Sequence, residues 1–158
     1  MAMYDTINLW LSIDKAGGFD VSKTLQSLSG VTEHTRDDGQ VYVSGYLKNY
    51  RVNISGQGVS LKGSLAKYFL PDNFHTLTRS DSARAFEMMS DELCLPIQKA
   101  KVNRIDFAQN FLMIYEPEAY YPYLGDCQYY QRQPTSNSLY YSNTLRQKLF
   151  YNKIAEGK

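Results

Sequence analysis

From Tyr4 to Ile13 the chain alternates without a break, with Ile7, Leu9, Leu11 and Ile13 on one side and Thr6, Asn8, Trp10 and Ser12 on the other. A period of two is that of a β-strand with one face in a core and the other in water. Such a strand constrains the rest of the chain. Sheets covered on one face only are built from antiparallel strands, and their helices gather on the covered side.

Further segments fit that frame. Val41 to Leu47 and Arg51 to Ser55 read as strands joined around Lys48-Asn49-Tyr50, and Gly56-Gln57-Gly58 turns the chain into Val59 to Gly63, which makes an antiparallel meander. Ala100 to Ile114 alternates again, with Asn103, Ile105, Phe107 and Phe111 against Val102, Arg104, Asp106, Ala108 and Asn110, and is expected to be a central strand. After a polar stretch from Gln131 to Ser136, Ser138 to Ser142 and Lys148 to Ala155 supply two more strand-like pieces.

Helical signals lie between these segments. Val21 to Leu28 is a short candidate stopped by Ser29-Gly30, and Ser64 to Phe69 is another, broken by Pro71-Asp72-Asn73, while Phe74 to Leu77 fits neither period. Thr78-Arg79-Ser80-Asp81 has the form of a capping box, and Ala85, Met88, Met89 and Leu93 then recur at helical spacing up to Pro96. Glu116-Pro117-Glu118 opens a last helix that Pro122 and Gly125 keep short. The order predicts an α+β fold: one antiparallel sheet with helices packed on one face and the other face open. A length of 158 residues suits a single domain spanning 1–158.

Composition excludes several classes. With 43% hydrophobic and 21% charged residues the chain is an ordinary soluble protein, neither disordered nor membrane-embedded. No apolar run approaches the roughly 20 residues that cross a bilayer, and Met1-Ala2-Met3-Tyr4-Asp5 lacks the start of a signal peptide, so a cytoplasmic location without a membrane partner is expected. Cys94 and Cys127 stand in no CxxC or Cys/His spacing, which predicts buried, reduced thiols and no zinc site. A formal charge of +1 means that any nucleic-acid partner has to be held by a local basic patch. Lys48, Arg51, Lys62 and Lys67 in and after the meander, with Lys99 and Lys101 before the strand at 100–114, are the candidates. Lysines defending a sheet edge are the ordinary alternative. The 14 tyrosines add rings able to stack on a base or a sugar.

Two constellations carry possible chemistry. Arg104 and Asp106, two apart on a strand, point to the same face, where they either steady the sheet as an ion pair or act on a ligand. Tyr151 and Lys153 likewise share a face, and a phenol beside an ammonium either holds a phosphate, serves as an activated nucleophile, or is a surface pair of no function.

The blocks Tyr4 to Leu11, Gly58 to Lys67, Val102 to Phe111, and Ser138 to Asn143 leading to Lys148 to Glu156 together resemble the gene II/X family of phage and plasmid replication initiators, well represented among Bacteroides-type elements. The short RxD and YxK elements are also similar to those of the Rep_trans plasmid initiators. The resemblance spans nearly the whole chain. It implies a HUH/Rep-like, RRM-related sheet, and rolling-circle replication by origin binding and metal-dependent nicking and joining of one DNA strand. In that chemistry a tyrosine attacks a phosphodiester and stays on the 5′ end, while a divalent metal stabilises charge on the phosphate.

Carried over to this chain, the resemblance implies Asp106 as a ligand of Mg²⁺ or Mn²⁺ with Glu156 as a second, and Arg104, Tyr151 and Lys153 as groups that orient phosphate. Lys48, Arg51, Lys62, Lys67, Trp10 and Tyr141 are the expected DNA contacts, the DNA being origin sequence in single-stranded or hairpin form. The His-hydrophobe-His metal motif of HUH nucleases is not in the sequence, whose two histidines are His34 and His75. The family's chain continues past the YxK strand, so the nucleophilic tyrosine is expected beyond Lys158 and the chain is expected to be a truncated, inactive part of the nicking domain. Two other classes stay open: a non-catalytic module that stacks single-stranded nucleic acid on an aromatic sheet, and a sugar-binding or structural protein.

Overall fold

The computed structural model describes residues 3–70 and 77–153. The breaker Pro71-Asp72-Asn73, the ambiguous stretch from Phe74 to Thr76 with His75, and Ile154 to Glu156 lie outside the described residues. The chain packs as two compact units, Met1–Gln109 and Asn110–Lys158.

The first unit is an antiparallel sheet of six strands in the order β2-β3-β4-β5-β1-β6. The strands are β1 Met3–Ser12, β2 Ser29–Thr35, β3 Val41–Leu47, β4 Tyr50–Ser55, β5 Gly58–Ser64 and β6 Lys101–Ala108. Among the described residues four α-helices accompany it: α1 Ile13–Ala16, α2 Val21–Gln26, α3 Leu65–Phe69 and α4 Arg79–Leu93. Ile7, Leu9 and Leu11 of β1, Tyr50, Val52 and Ile54 of β4, and Val59 and Leu61 of β5 alternate into one core with Leu65 and Ala66 of α3 and Ala85, Met89 and Leu93 of α4. The period of two read from the sequence is therefore the period of burial.

Helix α4 starts as expected. Thr78 Oγ1 accepts from the Asp81 backbone N–H at 3.1 Å, and the Asp81 carboxylate accepts from the Thr78 backbone N–H at 3.1 Å. These bonds satisfy donors that the first helical turn leaves without partners. Met88, counted with its apolar stripe, is 40% exposed. Helix α2 is held to α4 by Thr24, fully buried, whose hydroxyl donates to the Leu93 carbonyl at 2.9 Å.

Three sequence expectations change here. The strand β2 occupies Ser29–Thr35, where Ser29-Gly30 reads as a helix stop; its exposed polar residues carry no apolar alternation. The segment expected as a central strand is shorter, Lys101–Ala108, and sits at the edge of the sheet, paired with β1 on one side. Its register is also interrupted at Asn103, because Asn8 pairs with Arg104 while the next residue, Leu9, pairs with Val102. This bulge turns Val102 to the helix side, beside Leu9, and leaves Arg104 and Lys101 on the other. Finally, Cys94 is exposed, because it caps α4 in the left-handed conformation at φ 54°. Cys127 is half-buried.

The second unit contains the 3₁₀ turns Pro117–Ala119 and Tyr121–Tyr123 and an antiparallel meander of β7 Gln131–Pro134, β8 Ser138–Ser142 and β9 Gln147–Tyr151. The helix expected after Glu116 is only these two turns, since Pro122 has no N–H to extend a ladder. The stretch Gln131 to Ser136, polar enough to read as a loop, holds β7. Tyr121, Leu139 and Tyr141 form the core of this unit. Arg132 ties it together, donating from Nε to the Leu124 carbonyl at 3.0 Å and from Nη2 to that of Tyr121 at 2.8 Å. No helix among the described residues is long and apolar enough to cross a membrane.

Candidate nucleic-acid interface

The face of the six-stranded sheet opposite the helices is ordered in transverse rows by strand register. One row crosses all six strands as Ser29, Tyr46, Arg51, Lys62, Asn8 and Arg104. The adjacent row runs Thr32, Ser44, Asn53, Ser60, Trp10 and Lys101, and a third runs His34, Tyr42, Ser55, Gly58 and Ser12. Residues from six strands thus meet on one surface. Arg51, Lys62, Lys101 and Arg104 place positive charge there beside the carboxylate of Asp106, while Glu87, Asp91 and Glu92 lie on α4 behind the sheet. A chain of net charge +1 is locally basic because its charges are segregated by face.

A concavity of about 320 Å³ opens on this surface, lined by Trp10, Arg36, Tyr42, Arg51, Asn53, Ser55, Gln57 and Ser60. Its floor is short and polar, with the Asn53 amide donating to Ser60 Oγ at 3.2 Å. One wall is the indole of Trp10. The other is the Tyr42 ring, stacked on His34 with centroids 4.9 Å apart and planes 18° from parallel. His34 is itself held by Ser44, Nε2 to Oγ 2.8 Å, and the Arg36 guanidinium lies 5.2 Å from the Tyr42 ring centre.

Arg104 and Asp106 share this face as the sequence suggested, and they bind each other. Nε donates to Oδ1 at 2.7 Å and Nη2 to Oδ2 at 2.9 Å, so both carboxylate oxygens are engaged. The pairing raises the guanidinium pKa through the hydrogen bond first and the adjacent charge second. Among the described residues no three His, Cys, Asp or Glu side chains group to hold a cation. Glu156, the other expected ligand, lies outside the described residues. The described residues therefore do not fit a divalent metal by themselves.

The remaining candidates are distributed elsewhere. Lys48 sits in the β3–β4 turn at φ 52°, with Nζ 3.0 Å from Glu92 of α4 and 4.3 Å over the Tyr68 ring, so it faces the helix layer. Lys67 is the exposed residue of α3, whose Leu65, Ala66 and Tyr68 enter the core. Neither stands in the open-face rows. In the second unit Tyr141 is 4% exposed, and its hydroxyl donates to the Gly125 carbonyl at 2.6 Å. The expected DNA contact by Tyr141 gives way to a core role, since a buried ring offers no face to a base. Tyr151 pairs with Ser138 on the side of β9 opposite Phe150, which packs on Tyr141. Lys153 follows beyond the end of β9, and Asn152 between them donates to Glu116 at 2.6 Å.

Of the residues expected to meet DNA, Trp10, Arg51, Lys62 and Lys101 lie on this face, which also carries Asn8, Asn53, Ser60, His34, Tyr42 and Arg36, none of them expected as a contact. Asn8, Asn53 and Ser60 were visible as the polar alternates of strands with apolar partners. His34 was not, because the strand that carries it has no apolar alternation, and Arg36 follows that strand in the loop toward β3.

The chain matches the family model for the N-terminal domain of the phage replication-associated protein of gene II type over residues 3–158. No curated protein and no solved structure compared with it shows significant similarity. With residues 3–158 matched, the chain belongs to the family of the gene II replication-associated protein N-terminal domain.

Proposed function

We propose that this chain binds DNA at a replication origin through the open face of its six-stranded sheet, in the service of single-strand nicking and joining that starts rolling-circle replication. The observation that carries the reading is the row Arg51–Lys62–Asn8–Arg104, cations on neighbouring strands with Trp10 in the adjacent row. Arg51 and Lys62 form no ion pair with a carboxylate among the described residues. Cations gathered without counter-charges favour an anionic partner, and a backbone of phosphates supplies repeated anions. Family membership makes DNA the fitting polyanion. In the second unit, Tyr151 and Lys153 suit a phosphate-positioning role, a phenol donating a hydrogen bond and an ammonium supplying charge.

Two measurements test this. Binding of the chain to supercoiled DNA of its own replicon is titrated against salt, for the natural chain and for Arg51→Ala with Lys62→Ala. Log affinity falls linearly with log salt, and the double variant has a shallower slope by about 1.4 to 1.8, the contribution of two phosphate contacts on single or double strands. An unchanged slope removes the face from the binding site. Nicking is read as conversion of supercoiled to open circles with Mg²⁺, with Mn²⁺ and with chelator; a full-length chain that leaves the circles closed under all three rules out the strand-nicking part.

A further inference from the structure

We infer that the groove between Trp10 and Tyr42 captures two successive unpaired nucleotides of a DNA strand, one base on the indole and the next against the Tyr42–Arg36 wall, with Arg51 and Arg36 on the intervening phosphate. This rests on the reading of the open face as the DNA surface and adds the state of the strand and the residues that hold it.

Three features of the groove lead there. Its walls are aromatic and its floor is short: Ser60, Asn53 and Ser55 separate β1 from β3 without filling the space. Three strand spacings of about 4.8 Å put the walls roughly 15 Å apart, so one base cannot lie against both and each wall takes its own. The volume of about 320 Å³ is at the lower end of small-ligand sites, which run from roughly 300 to 1,000 Å³.

The polar groups match a nucleotide. Arg51 and Arg36 are planar, permanently charged forks suited to a phosphate, and Arg36 also extends the stacking surface of Tyr42. The Asn53 Oδ1 atom is buried and without a hydrogen-bond partner among the described residues, and so is Oδ1 of Asn8 in the next row. A buried acceptor without a partner is costly, and an N–H of an unpaired base, whether an exocyclic amino group or the N3–H of thymine, is a donor that satisfies it. Only an unpaired strand offers base faces and edges together, since duplex bases are stacked and their pairing edges occupied. The Tyr42 wall is braced in advance by His34 and Ser44, so little ordering is required on binding.

Trp10 is the single tryptophan of the chain, which makes its emission a direct report on the groove. The full chain is titrated with a dye-labelled oligothymidylate and with a blunt duplex, following dye anisotropy for binding and indole emission for stacking. The single strand is expected to bind and to quench the indole by more than half, the duplex to leave it unquenched, and Tyr42→Ala to weaken single-strand affinity by about tenfold, within the range for one stacked base. The natural chain's quenching does not depend on how that variant folds. Single-strand binding with unchanged emission overturns the groove while leaving DNA binding by the face intact. Equal quenching by the duplex overturns the requirement for an unpaired strand. Absence of any anisotropy change overturns both this inference and the reading it rests on.

Discussion

Arg51 of β4 and Lys62 of β5 stand directly opposite one another as cross-strand partners, two like charges on the open face. Such a pair destabilises a sheet by a few tenths to about 1 kcal/mol relative to a neutral one. The unfavourable term is removed when an anion arrives. Lys62→Thr, which keeps a β-forming residue, is therefore expected to raise the urea midpoint while weakening DNA binding and lowering the salt slope by about 0.7 to 0.9. A variant that loses stability as well as binding would place Lys62 in a structural role.

The bidentate pair between Arg104 and Asp106 is exposed to water, with side-chain exposures of 58% and 33%. Exposed ion pairs contribute at most about 1 kcal/mol, so Asp106→Asn is expected to change unfolding free energy by less than that. The same substitution removes a negative charge from the face and releases Arg104 toward phosphate. Tighter DNA binding at low salt is the expected result, and weaker binding would show that the Asp106 carboxylate itself serves the DNA site.

Tyr50 is fully buried, its ring edge-on to Tyr68 at 5.9 Å between centroids, and its hydroxyl has no partner among the described residues. Burial, and then the neighbouring Tyr68, pushes its phenol well above the ordinary 10.0. The folded state thus holds this proton more firmly than the unfolded one. Its contribution to stability is complete below pH 10 and is lost as pH rises above that value. Tyr50→Phe should flatten the alkaline limb of a pH–stability curve and raise stability at neutral pH by about 1 kcal/mol, because an unpaired buried hydroxyl disappears. A marked fall in neutral stability would mean that the hydroxyl is bonded in solution.

At the start of α4, the Thr78 hydroxyl and then the Thr78 backbone N–H hold the Asp81 carboxyl below its ordinary value of 3.8. A depressed carboxyl stabilises the fold above that range, and the contribution drains away as pH falls through it. Asp81→Asn should make the acid limb of unfolding shallower, followed by circular dichroism. Thr78→Ala removes the acceptor for the first turn and should cost about 1 kcal/mol at neutral pH. An unaltered melting temperature in Thr78→Ala would mean the box adds nothing to folding.

Much of the fold was legible from particular residues. Ile7, Leu9 and Leu11 declared a half-buried strand, Gly56-Gln57-Gly58 a turn, and Thr78 with Asp81 a helix start, because each signal is local: side-chain direction, turn chemistry and capping depend on near neighbours in the chain. Alternation likewise assigned Asn8 and Trp10 to the outer side of the first strand, and the same period governs Arg51, Asn53, Ser60 and Lys62, which were read only as strand residues. Ser29–Thr35 escaped because an edge strand with both faces wet needs no apolar rhythm.

Which of those outer residues are neighbours was decided only in three dimensions. Pairing of β1 with β5 and β6, rather than with the strand next in sequence, sets Asn8 between Lys62 and Arg104, and the bulge at Asn103 turns Lys101 to stand beside Trp10. Alternation says which way a side chain points and nothing about which strand lies next to it. Strand order and register come from the packing of the core face, whose lowest free energy depends on all strands and helices at once, so the charged rows and the groove are consequences of tertiary structure.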